Sequence, residues 1–147
     1  MRVTLFNWLG QDLTGLSCLD LFAGSGILGF EAASRGAERV TLVEQDQRAY
    51  AILRENAQAL GDSKLELLRT DAVKFTNSTL LHYDLIFLDP PFRQGWIERI
   101  VPLLPRLANP AARLYVEAEH AVETAGAWRS VRQSRAGQVF YQLLEQA

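Results

Sequence analysis

The residues FLDPPF, at positions 87 to 92, combine groups that could hold and activate a planar amine. Asp89 and the carbonyl of Pro90 offer two hydrogen-bond acceptors, and the adjacent prolines stiffen the chain that carries them. Phe92 adds a ring face on which a base could stack. Two aligned acceptors favour a pyramidal nitrogen, and Asp89 can stabilise the positive charge that develops when that nitrogen accepts a methyl group. The alternative is a turn whose prolines only end a strand.

A second stretch, DLFAGSGILG, indicates a site for a nucleotide-like cofactor. Gly24, Gly26 and Gly29 have the spacing G-x-G-x-x-G, and Glu44 lies 20 residues after Gly24, where it could accept hydrogen bonds from ribose hydroxyls. The spacing alone fits a dinucleotide or S-adenosylmethionine. Asp20 favours S-adenosylmethionine, because a carboxylate in this glycine-rich turn repels a pyrophosphate and suits the ammonium group of a methionine moiety. Alternatively, the glycines ease packing and Asp20 caps the turn.

The elements that must position these residues alternate between strands and helices. Apolar runs predict strands at 17–23, 39–44, 64–70, 83–89 and 112–119, and helical spacing predicts helices at 26–36 and 47–61, a weaker one after 70, and one at 96–108 interrupted by Pro102 and Pro105. Segments 128–134 and 137–145 read as two strands joined by an Arg-Ala-Gly turn. This pattern predicts an α/β fold: a mostly parallel twisted sheet with helices on both faces and an antiparallel hairpin at the C-terminal edge.

Ligands of such sheets bind at the carboxyl ends of the strands, and the unusual residues of this chain fall there. Asp20 to Gly26 follow the first strand, Glu44 the second, Asp71 the third and Asp89 the fourth. An acid after a strand often only caps a helix, and Asp71 precedes a helical stretch that begins at Ala72. We expect Asp71 to cap that helix and also to face an adenine amine.

Composition bounds the function. The chain has 147 residues, 48% of them hydrophobic, which fits one soluble domain, residues 1–147, without a signal peptide or a membrane segment. We expect a cytoplasmic monomer. The single cysteine, Cys18, has apolar neighbours that indicate a buried thiol, and His82 and His120 are too few and too far apart for a metal site, so no metal is expected.

Charge is unevenly distributed along the chain. The formal net charge is -2, but residues 1–89 carry 8 Lys/Arg against 12 Asp/Glu, whereas residues 90–147 carry 7 against 5. A polyanion should therefore meet the C-terminal half. Arg93, Arg129, Arg132 and Arg135 are the candidate phosphate contacts, with ordinary solvated charges as the alternative.

The motifs taken together resemble a known family. DLFAGSG, Glu44, Asp71 and DPPF look like the Rossmann-like class I S-adenosylmethionine-dependent methyltransferases that modify exocyclic amines. The chain also resembles the RsmD-type small-subunit (16S) ribosomal RNA guanine-N2 methyltransferases in four longer segments: TLFNWL (4–9), CLDLFAGSGILGFEAASRGA (18–37), LDPPFRQG (88–95) and AGQVFYQL (136–143). Members of that family usually carry a basic segment before the TLFNWL helix, where this chain starts, so the resemblance implies weaker modification of RNA.

The resemblance implies a role for each motif residue. Asp20, Phe22, Gly24 and Gly26 would shape the methionine pocket, Glu44 would bind the ribose, and Asp71 with Ala72 would flank the adenine. Asp89, Pro90 and Phe92 would hold the guanine amine. The implied partner is ribosomal RNA within a small-subunit particle.

Four functions stay open from the sequence. The first is a methyltransferase acting on a guanine 2-amino group of small-subunit ribosomal RNA. The second applies the same chemistry to adenine or cytosine in DNA. The third is a catalytically weak module that binds cofactor and ribosomal RNA. The fourth, a nicotinamide-dependent oxidoreductase, is disfavoured by Asp20 and by the lack of an obvious acid or base for hydride transfer.

Overall fold

Repeated βα units build the first part of the chain, as the alternation of strand and helix patterns predicts. The computed structural model describes residues 2–146. The strands of this part are β1 (Ser17–Asp20), β2 (Arg39–Val43), β3 (Leu65–Leu68), β4 (Tyr83–Leu88) and β5 (Ala108–Ala118). The helices are α1 (Arg2–Leu9), α2 (Ile27–Ser34), α3 (Gln47–Leu60), α4 (Ala72–Ser78) and α5 (Trp96–Ile100), followed by a 3-10 helix at Val101–Arg106.

Local chemistry sets several of these boundaries. Asp46 caps α3 by accepting a hydrogen bond from the backbone N–H of Ala49 at 2.9 Å, and Gly61 ends that helix with φ 62°. The helix predicted at 96–108 is interrupted as expected. Its α-helical part stops at Ile100 and a 3-10 turn continues, because Pro102 and Pro105 have no N–H to donate.

The last three strands run antiparallel and complete one sheet. They are β6 (Thr124–Ala125), β7 (Trp128–Ala136) and β8 (Val139–Gln146), and the strand order is β3-β2-β1-β4-β5-β8-β7-β6. Ala136 still pairs with Val139, so the hairpin turn is Gly137–Gln138 and not the predicted Arg-Ala-Gly. Gly137 has φ 60°, which a two-residue hairpin turn requires at its first position.

Helices cover both faces of the sheet, which confirms the predicted architecture. One apolar core lies under α1, α2 and α3 and includes Phe6, Cys18 and Phe87. The other lies under α4, α5 and the 3-10 helix and includes Phe75 and Trp96. Within residues 2–146, every helix is too short or too polar to cross a lipid bilayer.

Strand order places a crevice between β1 and β4. The chain moves from β1 to β2 and β3 on one side, then returns so that β4 pairs with the other side of β1. The connections after β1 and β4 therefore leave the sheet toward opposite faces, and the gap between them is where ligands bind in open parallel sheets. Asp20 ends β1 opposite Phe87, and Asp89 follows β4, so both border this crevice.

Candidate active site at the carboxyl edge of the parallel strands

Residues 20–26, at the end of β1, form a glycine corner, and residues 89–92, after β4, form a proline corner. The two corners open into one cavity of about 950 Å³. Most residues that the sequence singles out for a cofactor or an acceptor amine line it: Asp20, Phe22, Gly24, Glu44, Ala72, Asp89, Pro90 and Phe92. Two others do not line it, Gly26 and Asp71. The structure also adds wall residues that the sequence analysis did not single out, among them Thr70, Gln94 and Trp96.

The glycine corner is shaped by two left-handed residues. Gly24 has φ 56° and nothing within 4 Å of the position where a Cβ would be, so its backbone is open to the cavity. Gly26 has φ 95°, and a Cβ there would lie 2.3 Å from the Phe30 ring and 2.7 Å from Leu53. Gly26 is therefore required for packing α2 against α3, whereas Gly24 is the residue that lets a ligand approach.

We expect Gly26→Ala to lower the free energy of unfolding by about 2 to 4 kcal/mol, because it adds left-handed backbone strain and a clash with the half-buried ring of Phe30 and the buried side chain of Leu53. Gly61→Ala is the matched control, since Gly61 has φ 62° and nothing within 4 Å of its Cβ position. It should cost about 1 kcal/mol. Urea unfolding followed by circular dichroism measures both, and equal losses would contradict the packing role of Gly26.

Glu44 connects the glycine corner after β1 to the turn after β2. Its Oε1 accepts from the backbone N–H of Gly24 at 2.9 Å, and its Oε2 accepts from the backbone N–H of Asp46 at 2.8 Å. Each carboxylate oxygen keeps a further lone pair. Because Glu44 also lines the cavity, it is both a structural tie and an acceptor available to a ligand hydroxyl.

Asp20 is a buried carboxyl with an unused acceptor. Its exposed fraction is 1%, and its Oδ1 has no hydrogen-bond partner. Burial raises the pKa of Asp20 to about 7, the backbone N–H groups of Gly29 and Phe22 oppose that rise, and the carboxylates of Glu44 and Glu117 add to it. An unpaired buried carboxylate is costly, so this position calls for a cation or a strong donor from the cavity.

The proline corner presents an acid and a ring to the same cavity. Pro90 is buried, and Phe92 is 40% exposed, so its ring stays accessible and does not fill the core. Burial, followed by the charge and hydrogen bonding of Glu117, raises the pKa of Asp89 to about 8. The wall beside this corner is fixed by Phe22, whose ring meets Trp96 edge to face with 5.2 Å between centroids.

Asp71 acts first as a helix cap. Its Oδ1 accepts from the backbone N–H of Lys74 at 2.8 Å, which begins α4 as the sequence predicts. Its flanking residues, Thr70 and Ala72, line the cavity. The cap therefore fixes the backbone that forms this wall, and contact of Asp71 with an adenine stays a prediction.

The four arginines proposed for RNA are not together. Arg93 directly follows the proline corner, with its side chain 91% exposed and its backbone N–H donating to Glu119 at 3.1 Å. Arg135 pairs with Phe140, which pairs with the last residue of β5, so it lies at the carboxyl edge. Arg129 pairs with Glu145, at the opposite edge of the sheet.

Arg132 lies between these two arginines on β7, opposite Leu143 of β8. Strand geometry separates Arg129 from Arg135 by roughly 20 Å. The structure therefore brings Arg93 and Arg135 to the edge that carries the cavity, leaves Arg132 in the middle of the strand, and puts Arg129 at the far end.

Glu117 is a residue of this region that the sequence analysis missed. It is the second-last residue of β5, and its charge and hydrogen bonding raise the pKa of Asp89. The signal was present, because the rule that functional groups follow parallel strands applies to the fifth strand as well as to the first four. Across the described residues, no cluster of three or more His, Cys, Asp or Glu is arranged to hold a metal ion.

Comparison with known proteins gives consistent matches over almost the whole chain. A family model described as Conserved hypothetical protein 95 matches residues 1–145. Ribosomal RNA small subunit methyltransferase D of Escherichia coli strain K12 is 38% identical, over 99% of this chain and 76% of that protein. The solved structure of yhhF from Escherichia coli is similar with a TM-score of 0.91 and 37% identity, over 99% of this chain and 83% of that one.

A third similarity is more distant. The RNA methyltransferase from Salinibacter ruber, solved in complex with S-adenosyl-L-homocysteine, has a TM-score of 0.77 at 16% identity, over 98% of this chain and 88% of that chain. At this identity the similarity shows a shared methyltransferase fold and no more.

Proposed function

The chain belongs to the family described as Conserved hypothetical protein 95, with the ribosomal RNA small subunit methyltransferases D, and from that premise we propose that it methylates the 2-amino group of a guanine in small-subunit ribosomal RNA. The methyl donor is S-adenosylmethionine. The observation that carries this proposal is the single cavity shared by the glycine corner and the proline corner, with Asp20 and Gly24 on one side and Asp89 and Phe92 on the other.

The residues around the glycine corner fit the donor by their own chemistry. The free Oδ1 of Asp20 lacks a partner and is buried, and the ammonium group of the methionine moiety is a cation of matching charge. Glu44 has lone pairs left for the ribose hydroxyls after its two backbone contacts. Phe22 and Gly24 would complete the methionine pocket, and Asp71 with Ala72 would flank the adenine.

When bound, S-adenosylmethionine would supply an electrophilic methyl group for the amine nitrogen, with its sulfur as the leaving group. The protein contributes alignment and charge. Asp89 and the Pro90 carbonyl would accept the two amine hydrogens, and Phe92 would stack on the base. As the nitrogen becomes positive, an ionised Asp89 stabilises it in a site that is largely shielded from water.

We propose guanine, and small-subunit ribosomal RNA, because of the family to which the chain belongs and because its motifs resemble those of the RsmD-type enzymes. A proline corner of this kind holds any planar exocyclic amine, so the site chemistry alone fits adenine and cytosine equally well. The relative from Escherichia coli is named for the small subunit, which supports ribosomal RNA as the substrate. We further propose that residues 1–147 act as one monomeric domain in the cytoplasm, where ribosomal subunits are assembled.

The decisive experiment incubates the protein with labelled S-adenosylmethionine and one of three unmodified substrates: small ribosomal subunits, naked ribosomal RNA or DNA. Digestion to nucleosides and mass spectrometry then identify the product. We expect N2-methylguanosine from small-subunit RNA. Label in methyladenine or methylcytosine of DNA would replace the proposal with the DNA reaction. Cofactor binding without any labelled product would favour a binding module, and calorimetric binding of NAD in place of S-adenosylhomocysteine would overturn the proposal.

RNA should approach along the carboxyl edge, so we expect Arg135→Ala to reduce kcat/KM for the RNA substrate about tenfold. The slope of the logarithm of the binding constant against the logarithm of salt concentration should become less steep by about one. Arg129→Ala is the matched control at the other end of β7 and should change kcat/KM less than about twofold. Filter binding and methyl transfer at two salt concentrations measure both. A larger effect of Arg129→Ala would move the RNA surface to the far edge.

A further inference from the structure

Glu117 lies beside Asp89 because of the register between two strands. β4 and β5 are parallel, and Leu88 is paired with Val116. The next residue of each strand is therefore Asp89 on one side and Glu117 on the other. Successive side chains of a strand alternate between faces, so these two carboxyls extend from the same face of the sheet. The pairing of strands, and not closeness in sequence, brings them together.

A hydrogen-bonded chain joins the buried core to this pair. Tyr115 is fully buried, and its hydroxyl donates to Oε1 of Glu117 at 2.6 Å. Glu117 in turn lies beside Asp89, because Leu88 and Val116, the residues before them, are paired. Two ionised carboxylates have only acceptors, so a hydrogen bond between them requires one proton on the pair. The hydroxyl of Tyr115 fixes one Glu117 oxygen and leaves the other to share that proton with Asp89.

The pair joins two separate openings. Asp89 lines the large cavity, and Glu117 does not. Glu117 lines a smaller hollow of about 110 Å³ on the other side of the proline corner, together with His120. Pro90 and Phe92 line both, so the corner itself forms the partition. A proton that passes from Asp89 to Glu117 therefore leaves the cavity without crossing the space that donor and base occupy.

The reaction has to dispose of one proton. An amine that gains a methyl group carries one hydrogen too many, and Asp89 is the acceptor placed against it. With the cavity filled by donor and base, Asp89 has no route to bulk water through that cavity. Glu117 is half-buried and borders the hollow, so it has one.

Resting on the proposed function, we propose that Glu117 relays the proton of the methylated amine from Asp89 to solvent. Before transfer the pair holds one proton, and binding of the acceptor amine moves this proton from Asp89 to Glu117, so that Asp89 becomes the ionised acceptor. The amine nitrogen then gives its proton to Asp89, and Glu117 releases its own proton through the hollow. The proton shared between the two carboxyls then passes to Glu117, which restores the starting state. Glu117 thus acts through Asp89 and does not touch the base.

The surroundings of the pair favour retention of one proton. Burial is the main reason that the pKa of Asp89 is raised to about 8, followed by the charge and hydrogen bond of Glu117 and by the charge of Asp20. The other ionisable groups around the pair are Glu44 near Asp20, Tyr115 on β5 and Tyr141 on β8. Glu98, Glu119 and the exposed His120 border the hollow together with Glu117. The nearby cation, Arg93, is highly exposed and contacts Glu119.

The first test needs no substrate and uses carboxyl carbon NMR of the ligand-free protein. In the wild type, we expect Asp89 to titrate with a pKa raised to about 8. In Glu117→Gln the like charge is gone and an amide donor faces Asp89, so the proton should be held at least about tenfold less tightly. Glu55→Gln, on the exposed part of α3, is the matched control and should leave the titration unchanged. A wild-type Asp89 with an ordinary pKa, or an identical titration in Glu117→Gln, would overturn the relay.

The second test separates a relay from a residue that only holds Asp89. Glu117→Gln leaves Asp89 better ionised, so a residue that merely raised its pKa would give a faster enzyme when replaced. A relay gives the opposite result. We expect kcat to fall at least about tenfold at neutral pH, with KM for both substrates within about twofold and the acid limb of the pH profile moved to lower pH.

The two ways of failing are distinguishable in these measurements. An unchanged or higher kcat in Glu117→Gln, with an active wild type, would end the relay and leave the proposed function intact. A wild type that methylates no small-subunit RNA would end the proposed function. Glu55→Gln should match the wild type in kcat, and circular dichroism should show that both variants are folded.

Discussion

Asp89→Ala should lower the rate of methyl transfer about 1,000-fold while S-adenosylhomocysteine still binds within a few fold of the wild type. Asp89 is assigned to the acceptor amine and to the charge that develops on its nitrogen, whereas binding of the donor is assigned to other residues that line the same cavity, among them Asp20 and Glu44. Single-turnover transfer of labelled methyl groups measures the first quantity, and calorimetry measures the second.

Asp89→Asn is the variant that isolates charge from shape. The amide keeps one oxygen acceptor at the same place but cannot carry the negative charge, so we expect a loss of about 100-fold, between the wild type and alanine. If Asp89→Ala weakened the binding of S-adenosylhomocysteine as much as it slowed transfer, Asp89 would belong to the donor pocket and the assignment of the two corners would be wrong.

Asp20→Asn is expected to weaken S-adenosylmethionine binding about 100-fold and, at the same time, to stabilise the ligand-free protein. The loss of affinity follows because the ammonium group would meet an amide in place of a carboxylate. The gain in stability follows because a buried charge with an unpaired oxygen is removed. A variant that loses affinity but gains stability is characteristic of a binding group that destabilises the ligand-free protein.

The sign of the stability change depends on pH in a defined way. The folded protein holds the Asp20 proton more tightly than the unfolded chain, since burial raises the pKa from 3.8 to about 7. Its contribution to stability is therefore present below about pH 4 and is lost as pH rises toward 7. At pH 4 the variant should match the wild type, and at pH 8 it should be more stable by about 1 to 2 kcal/mol.

The control for this prediction is Asp62→Asn. Asp62 accepts a hydrogen bond from the backbone N–H of Lys64 at 2.9 Å, and an asparagine keeps that acceptor. It should change neither affinity nor the pH dependence of urea unfolding. An Asp20→Asn protein with unaltered affinity would show that the ammonium group is held elsewhere.

Much of the fold follows from local residue chemistry. The left-handed glycine Gly61 and the capping Asp46 set the ends of α3, and the prolines at 102 and 105 divide the helix after α5 begins, all without reference to distant residues. The strands were placed by their apolar runs, although β1 ends at Asp20, three residues before the predicted end, where the chain turns into the glycine corner. β5 begins four residues earlier than predicted, at Ala108, because it pairs with Tyr83 of β4.

The site was predictable to the extent that its residues follow parallel strands. Asp20, Glu44 and Asp89 come directly after, or at the end of, successive strands, and parallel strands bring such positions to one edge. Gly26 shows the limit of this argument. The motif assigned it to the ligand, but Gly26 does not line the cavity, and a Cβ at this position would clash with Phe30. The packing of α2 therefore requires a glycine here, and the spacing of glycines cannot distinguish this role from ligand binding.

The residues proposed to carry the chemistry can be recognised from the sequence alone, because a carboxylate before a proline corner and glycines after a strand have local consequences that need no partner. Which of these residues are neighbours depends on the three-dimensional fold. Glu117 faces Asp89 because Leu88 pairs with Val116. Arg135, and not Arg129, lies at the carboxyl edge because β8 is antiparallel to both β5 and β7, so that β7 runs in the same direction as β5. Strand register and order arise from contacts between distant residues, which no local pattern contains.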